Sequence, residues 1–374
     1  MNDNNIPAGT MGRRSFVKRL GLAGAAALPV GAFLSGQKNA FAEGFESLSR
    51  GDEAILRFLA AAELIESDLW TQYAELGGIG DNPPIEVDPT QPLNAYQSAL
   101  SNLDSDGPQY ITSNTLDEVS HATFLNAYLE ARGAKPVNLD KFRTLPGSTA
   151  TGSTGIPRLT NLMQLNVDTS WFVRYRSAAN PDLGGAFPQA VTLNGVTAIP
   201  VTDADFNDAN HIQAIANTAA FHFGAIEQGG SSLYAALSQK ATEPQVLQIT
   251  LSIGGDEIAH FLEWVDFSGN GVQAPVAPFT DPLSGLTFPN FFSPLNPLVQ
   301  PNLIFPVPCE FISPKLPRVS VIRPTTDKFA GASAAIAGLI ASGLFIGQSA
   351  KFFETVQLLA EAADAATREV SRFY

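Results

Sequence analysis

The chain has 374 residues, 45% of them hydrophobic and 16% charged, which provides core material for one large globular domain or two ordinary ones and excludes intrinsic disorder. Its formal charge of −14 gives an acidic surface that excludes nucleic acid and anionic lipid as partners. A single cysteine, Cys309, excludes a disulfide framework.

Residues 1–42 read as an address rather than as fold. A polar start is followed by Arg13-Arg14-Ser15-Phe16-Val17-Lys18, an apolar run from Leu20 to Leu34 broken by Pro29, and Ala40-Phe41-Ala42. These are the parts of a twin-arginine export signal with an A-x-A cleavage site. The run is short for a membrane span. The expectation is export of the folded chain by the twin-arginine translocation machinery to a periplasmic or extracellular destination. Removing the segment takes away five basic groups and one acid, leaving a formal charge of −18.

Four segments then carry the 3.6-residue apolar period of helices. The first runs from about Asp52 to Leu76 and stops at Gly77-Gly78; the second starts after Ser113, read as an N-cap, and stops at Gly133. The third spans about Asn210 to Gln239, and the fourth begins near Pro244 and ends near Phe267. Residues 134–209 separate the pairs, with one possible helical piece from Leu159 to Arg176. That length suits a crossover that lets two helical hairpins pack together. The fold class expected for residues 43–268 is therefore an all-α four-helix bundle. Residues 269–328, dense in Pro and Phe, read as an extended wrap. Residues 329–374 read as one or two packed C-terminal helices; the uncharged stretch 329–350 leaves a C-terminal membrane anchor as the alternative.

The apolar stripes of the four helices raise a chemical problem. In the first it reads Ile55, Leu59, Ala62, Glu66, Leu69, Tyr73, Leu76; in the third, Ala216, Ala220, Phe223, Glu227, Gly230, Tyr234, Leu237. The second carries Glu118, His121, Leu125 and Tyr128, and the fourth Val246, Thr250, Ile253, Glu257, His260, Trp264 and Phe267. Each stripe holds one carboxylate, and no basic residue falls on any of them. Four ionised carboxylates in one low-dielectric core would each cost several kcal/mol. Two bound divalent cations remove that cost. Residues three apart share a helix face, so Glu118 with His121 and Glu257 with His260 can each serve one metal, completed or bridged by Glu66 and Glu227. Carboxylate and imidazole donors suit iron or manganese, and the absence of cysteine ligands argues against structural zinc.

The two halves repeat. Asp117-Glu118-x-x-His121 matches Asp256-Glu257-x-x-His260, and Glu66 and Glu227 are each followed seven residues on by a tyrosine, Tyr73 and Tyr234. That spacing prefers Glu66 to Glu63 as the ligand of the first helix. His211 and His222 read as capping or surface residues.

In these residues the chain resembles the ferritin-like superfamily, and within it the exported ferritin-like proteins related to the desiccation-related family. The resemblance covers roughly residues 50–268. It implies that Glu66, Glu118, His121, Glu227, Glu257 and His260 ligate the metals, with Tyr73 and Tyr234 as hydrogen-bond donors to the ligands or redox-active groups. It also implies chemistry on peroxide or dioxygen in stress protection, of catalase, peroxidase or ferroxidase type. A non-catalytic stress or surface-interaction protein that keeps the bundle is the alternative expectation.

Overall fold

Ser49 opens the first helix, α1 (Arg50–Gly77): its hydroxyl accepts from the Asp52 amide at 3.0 Å, and Asp52 and Glu53 place negative charge at the positive end of the helix. A computed structural model of the chain describes residues 47–78, 92–103, 107–172, 188–267, 279–289, 306–307, 319–320 and 331–368. Residues 1–42, Cys309 and most of the Pro-rich stretch lie outside the described residues.

The second helix, α2 (Gly107–Ala131), begins well before Ser113, which corrects the expected N-cap. Pro108 presets the first turn. The hydroxyls that suggested a cap turn back onto the helix instead: Thr112 donates to the Pro108 carbonyl at 2.8 Å and Ser113 to that of Tyr110 at 3.1 Å. The third helix, α3 (Ala209–Ser238), is capped by the Asp208 carboxylate, which accepts from the Asn210 amide at 2.8 Å. The fourth, α4 (Pro244–Asp266), has proline in its first turn.

α1 packs along α2, and α3 along α4. Both pairs are antiparallel: Ser67 reaches the Glu118 carbonyl while Thr115 reaches that of Trp70, and Ser231 bonds the Glu257 carbonyl. Asp52 ties the pairs together by accepting from the Thr242 and Glu243 amides at 2.8 and 3.1 Å. A stack of Trp70, Phe223 and Trp264, with centroids 4.4–5.6 Å apart, fills the space between the four helices.

The crossover is held by a second buried face of α1. Asp68 accepts from the Leu159 and Thr160 amides at 3.1 and 2.8 Å and pairs with Arg143, while Glu75 pairs with Arg158. Residues 159–169 are loop and strand, not the helix expected from 159 onward; a helical turn begins only at Ser170. Strand β1 (Leu165–Val167) pairs antiparallel with β2 (Leu193–Val196). Trp171 lies against Gly224, where any side chain would overlap the indole.

Two helices close the C-terminal side, α5 (Ala332–Ala341) and α6 (Ala350–Asp364); α6 packs on α1 and buries Phe352, Val356, Ala360 and Ala363, Phe352 against Phe142 and Phe345. Asp364 caps α5 by accepting from the Ala332 and Ser333 amides, each at 2.8 Å. α5 spans ten residues, and no helix among the described residues is long and apolar enough to cross a membrane. The chain is mostly helical; its strands form only short two-stranded pairs among the described residues.

Candidate metal centre

The polar residues of the apolar stripes converge midway along the four long helices. Glu63, Glu118, His121 and Glu257 offer ligand atoms within 4.8 Å of one another, and Glu118, Glu227 and His260 form a second such group. Glu118 belongs to both. All six of these residues are at least nine-tenths buried.

Each histidine turns one nitrogen inward and one outward. His121 Nδ1 lies 3.3 Å from Glu118 and 3.4 Å from Glu63, and His260 Nδ1 lies 3.1 Å from Glu118 and 3.3 Å from Glu227. The outer nitrogens cross between the helix pairs: His121 Nε2 meets Asp256 at 3.2 Å, and His260 Nε2 meets Asp117 at 3.2 Å. The aspartate of each D-E-x-x-H motif thus holds the histidine of the other, a role the spacing within one helix did not reveal.

The α1 and α3 carboxylates are held in the same reciprocal way. Trp70 Nε1 donates to Glu227 at 2.8 Å, and the Tyr234 hydroxyl donates to Glu63. Trp70 stands seven residues after Glu63 just as Tyr234 stands seven after Glu227. The equivalent serines four residues on, Ser67 and Ser231, each bond the backbone of the facing α2 or α4 glutamate. The repeat therefore aligns Glu63, not Glu66, with Glu227. The preference for Glu66 rested on requiring a tyrosine seven residues on; the aromatic donor is a tryptophan in the first half.

Glu66 lies beside the cluster, outside both groups, and looks into an adjoining cavity. Its repeat partner is Gly230, where any side chain would overlap the Glu257 carboxylate. Tyr73 does not reach the cluster ligands: its hydroxyl is 2.6 Å from His222 Nδ1. His222 is 1% exposed, so its reading as a surface residue is corrected; His211 bridges Asp205 and Asp281 near the start of α3.

The electrostatics follow from burial and crowding. Burial pushes the Glu118 carboxyl up to about 8, with Glu63 adding to the rise and His121 and His260 opposing it. Burial and repulsion from neighbouring carboxylates, Glu118 first, raise Glu257 and Glu66 as well. Burial disfavours the His121 cation, yet the facing carboxylates of Asp256, Glu118 and Glu63 outweigh it and raise the imidazole to about 12. His260 is raised in the same way through Asp117, Glu118 and Glu227. His222, buried with no carboxylate partner, is pushed down to about 3.

These buried Glu and His groups can hold a metal ion. No family model matches the chain, and neither does any curated protein or solved structure.

Proposed function

We propose that the four long helices form a ferritin-like bundle holding two divalent metal ions, iron or manganese, and that the chain is an exported dimetal oxidoreductase acting on peroxide or dioxygen in stress protection. One observation carries the reading. Glu63 Oε2, Glu118 Oε1, Glu227 Oε2, both Glu257 oxygens and His260 Nδ1 are buried without an aligned hydrogen bond, although the inner nitrogens of His121 and His260 stand 3.1–3.4 Å from three of these oxygens, and all belong to one cluster. A core leaves so many polar atoms unmatched only at large cost, unless something else binds them.

The donor set fits a metal pair. Four carboxylates balance the charge of two divalent cations when both imidazoles are neutral, and oxygen and nitrogen donors without sulfur suit iron or manganese. Glu63, Glu118, His121 and Glu257 would hold one ion and Glu118, Glu227 and His260 the other. Glu257, with both oxygens unpartnered, suits a shared ligand as Glu118 does. When bound, such a pair supplies electrons to, or takes them from, a small oxidant.

The chain's own residues prepare the site. Asp117 and Asp256 accept from the outer imidazole nitrogens, which leaves the inner nitrogens of His260 and His121 with lone pairs that would face a cation held among the carboxylates. Trp70 and Tyr234 fix Glu227 and Glu63, and the Trp70, Phe223 and Trp264 stack excludes water from one side. The twin-arginine signal accords with this reading, because that route carries folded proteins already loaded with their cofactor.

Catalase and ferroxidase assays on the metal-loaded chain test the reaction. The expected result is turnover of hydrogen peroxide or oxidation of ferrous iron that falls about 100-fold or more in Glu118→Ala, the loss of a group needed by both ions. A loaded chain with neither activity would reject the enzymatic reading in favour of the non-catalytic one.

A further inference from the structure

Beside the carboxylate cluster lies a cavity of about 580 Å³, within the size range of sites for organic ligands and many times what a peroxide or dioxygen molecule fills. Its interior is apolar. Phe58 on α1, Ile226 and Leu233 on α3, and Ile336 and Leu339 on α5 supply much of the wall. Its mouth is polar: Asn166, Asp168, Gln189 and Asn194, from β1, β2 and their flanks, line it and are exposed. These mouth residues are engaged with the fold, Gln189 with Thr169 and Asp168, and Asn166 with Gly195 and Ala341.

Two cavity residues adjoin the cluster. Glu66 lines the cavity and feels the charges of Glu118, Glu63 and Glu227, and Gly230 lines it with its Cα against the Glu257 carboxylate. A third interior group is His222. Its Nδ1 is taken by Tyr73, whereas Nε2 is buried with no hydrogen-bond partner. Neutral imidazole in an apolar wall calls for one polar atom opposite it. No lysine or arginine lines the cavity among the described residues, and Glu66 and Asp168 are acidic, so a free carboxylate is disfavoured there.

We propose that this cavity binds a neutral, elongated apolar molecule carrying one uncharged hydrogen-bonding group, a hydroxyl or carbonyl, which enters first and pairs with His222 while the apolar body extends towards the mouth. As a substrate site it rests on the dimetal reading, since Glu66 and Gly230 bring the cavity wall up to the carboxylate cluster. As a binding site it stands independently.

Gly229 and Gly338 allow a test that spares the cluster. Both line the cavity, on α3 and α5, and a Cβ at either meets nothing within 4 Å, so a phenylalanine can enter the cavity without displacing backbone. Isothermal titration calorimetry on the full chain, with 1-decanol and decanoate as probes, reads binding, while circular dichroism reads folding and plasma mass spectrometry reads metal content. The expected result is that 1-decanol binds at one site and decanoate at least about tenfold more weakly. Gly229→Phe, Gly338→Phe and His222→Leu should each weaken 1-decanol by about tenfold or more with helical content unchanged. Absence of 1-decanol binding, decanoate binding as tight as the alcohol, or folded glycine variants that bind like the parent chain would each overturn the proposal. Chelator-treated chain and Glu118→Ala separate it from the dimetal reading: 1-decanol binding to a chain that never holds metal supports the cavity and rejects only the metal centre.

Discussion

Asp117 and Asp256 are partly exposed, with side chains 41% and 43% accessible, yet each fixes a buried imidazole across the helix pairs. Replacing either by asparagine keeps the shape and removes the charge that favours an N–H on the outer nitrogen. Asp117→Asn and Asp256→Asn are expected to lower metal affinity roughly 10–100-fold with little change in folding, measured by competition with a chromophoric chelator. Unchanged affinity would mean that the aspartates are only a solvated rim. His222 answers to pH instead. Burial holds its folded pKa at about 3, below the ordinary value of 6.5, so the native chain keeps it neutral while the unfolded chain takes up a proton on acidification. The contribution of neutral His222 is therefore whole above about pH 6.5 and is lost as pH falls towards 3, at roughly 1.4 kcal/mol per pH unit. The raised carboxyls of Glu118, Glu257 and Glu66 act in the opposite sense over this range, so the slope is read as a difference: urea unfolding of chelator-treated parent and His222→Gln between about pH 7 and 5 should diverge by this amount per pH unit, the parent losing stability relative to the variant on acidification.

At the level of elements, α1 has two buried faces, and only one was legible. The stripe from Ile55 to Leu76 follows the helical period and is visible in sequence, whereas Asp68, Gln72 and Glu75 lie off it and nothing in the local sequence marks them as buried. They are buried because the crossover folds onto them: Asp68 serves the Leu159 and Thr160 amides, the Thr160 hydroxyl and Arg143. Single-sequence periodicity cannot anticipate a partner that arrives 90 residues later. Leu159 onward is not helical because its backbone groups are taken by distant segments: the Asn161 and Asn166 amides bond the Leu344 and Ser342 carbonyls, the Leu162 carbonyl accepts from Ala198, and Leu165–Val167 pairs with β2. Asp68→Ala should destabilise the chain by about 2–4 kcal/mol, since it strands buried amides and a partly buried arginine. Chemical denaturation monitored by circular dichroism reads the loss; a change below about 0.5 kcal/mol would mean that the crossover is held by its apolar contacts alone. Glu63 was harder to recognise for a different reason. Glu63 and Glu66 are three residues apart and share a helix face, so periodicity could not choose between them, and the +7 donor turned out to be Trp70 in one half and Tyr234 in the other. The serine at +4, present in both halves as Ser67 and Ser231, was the signal that aligns Glu63 with Glu227.

For the whole molecule, the mostly helical architecture and the long crossover were readable because four strongly periodic segments and a long aperiodic one need no tertiary information. The gathering of Glu118, His121, Glu227, Glu257 and His260 was readable for a related reason: each interrupts an apolar stripe, and a stripe of that period must face the core. The reciprocal bonds between halves were not, because Asp117 to His260 and Asp256 to His121 join residues 143 and 135 apart. The account stands on what occupies the space between these side chains. Crystals of the full chain purified without chelator, with anomalous difference maps on both sides of the iron and manganese edges, test it most directly. The account predicts two peaks about 3.5–4 Å apart, one bounded by Glu63, Glu118, His121 and Glu257 and the other by Glu118, Glu227 and His260. A map with no peak in the cluster, from a chain in which these carboxylates are paired with one another through shared protons, would contradict it.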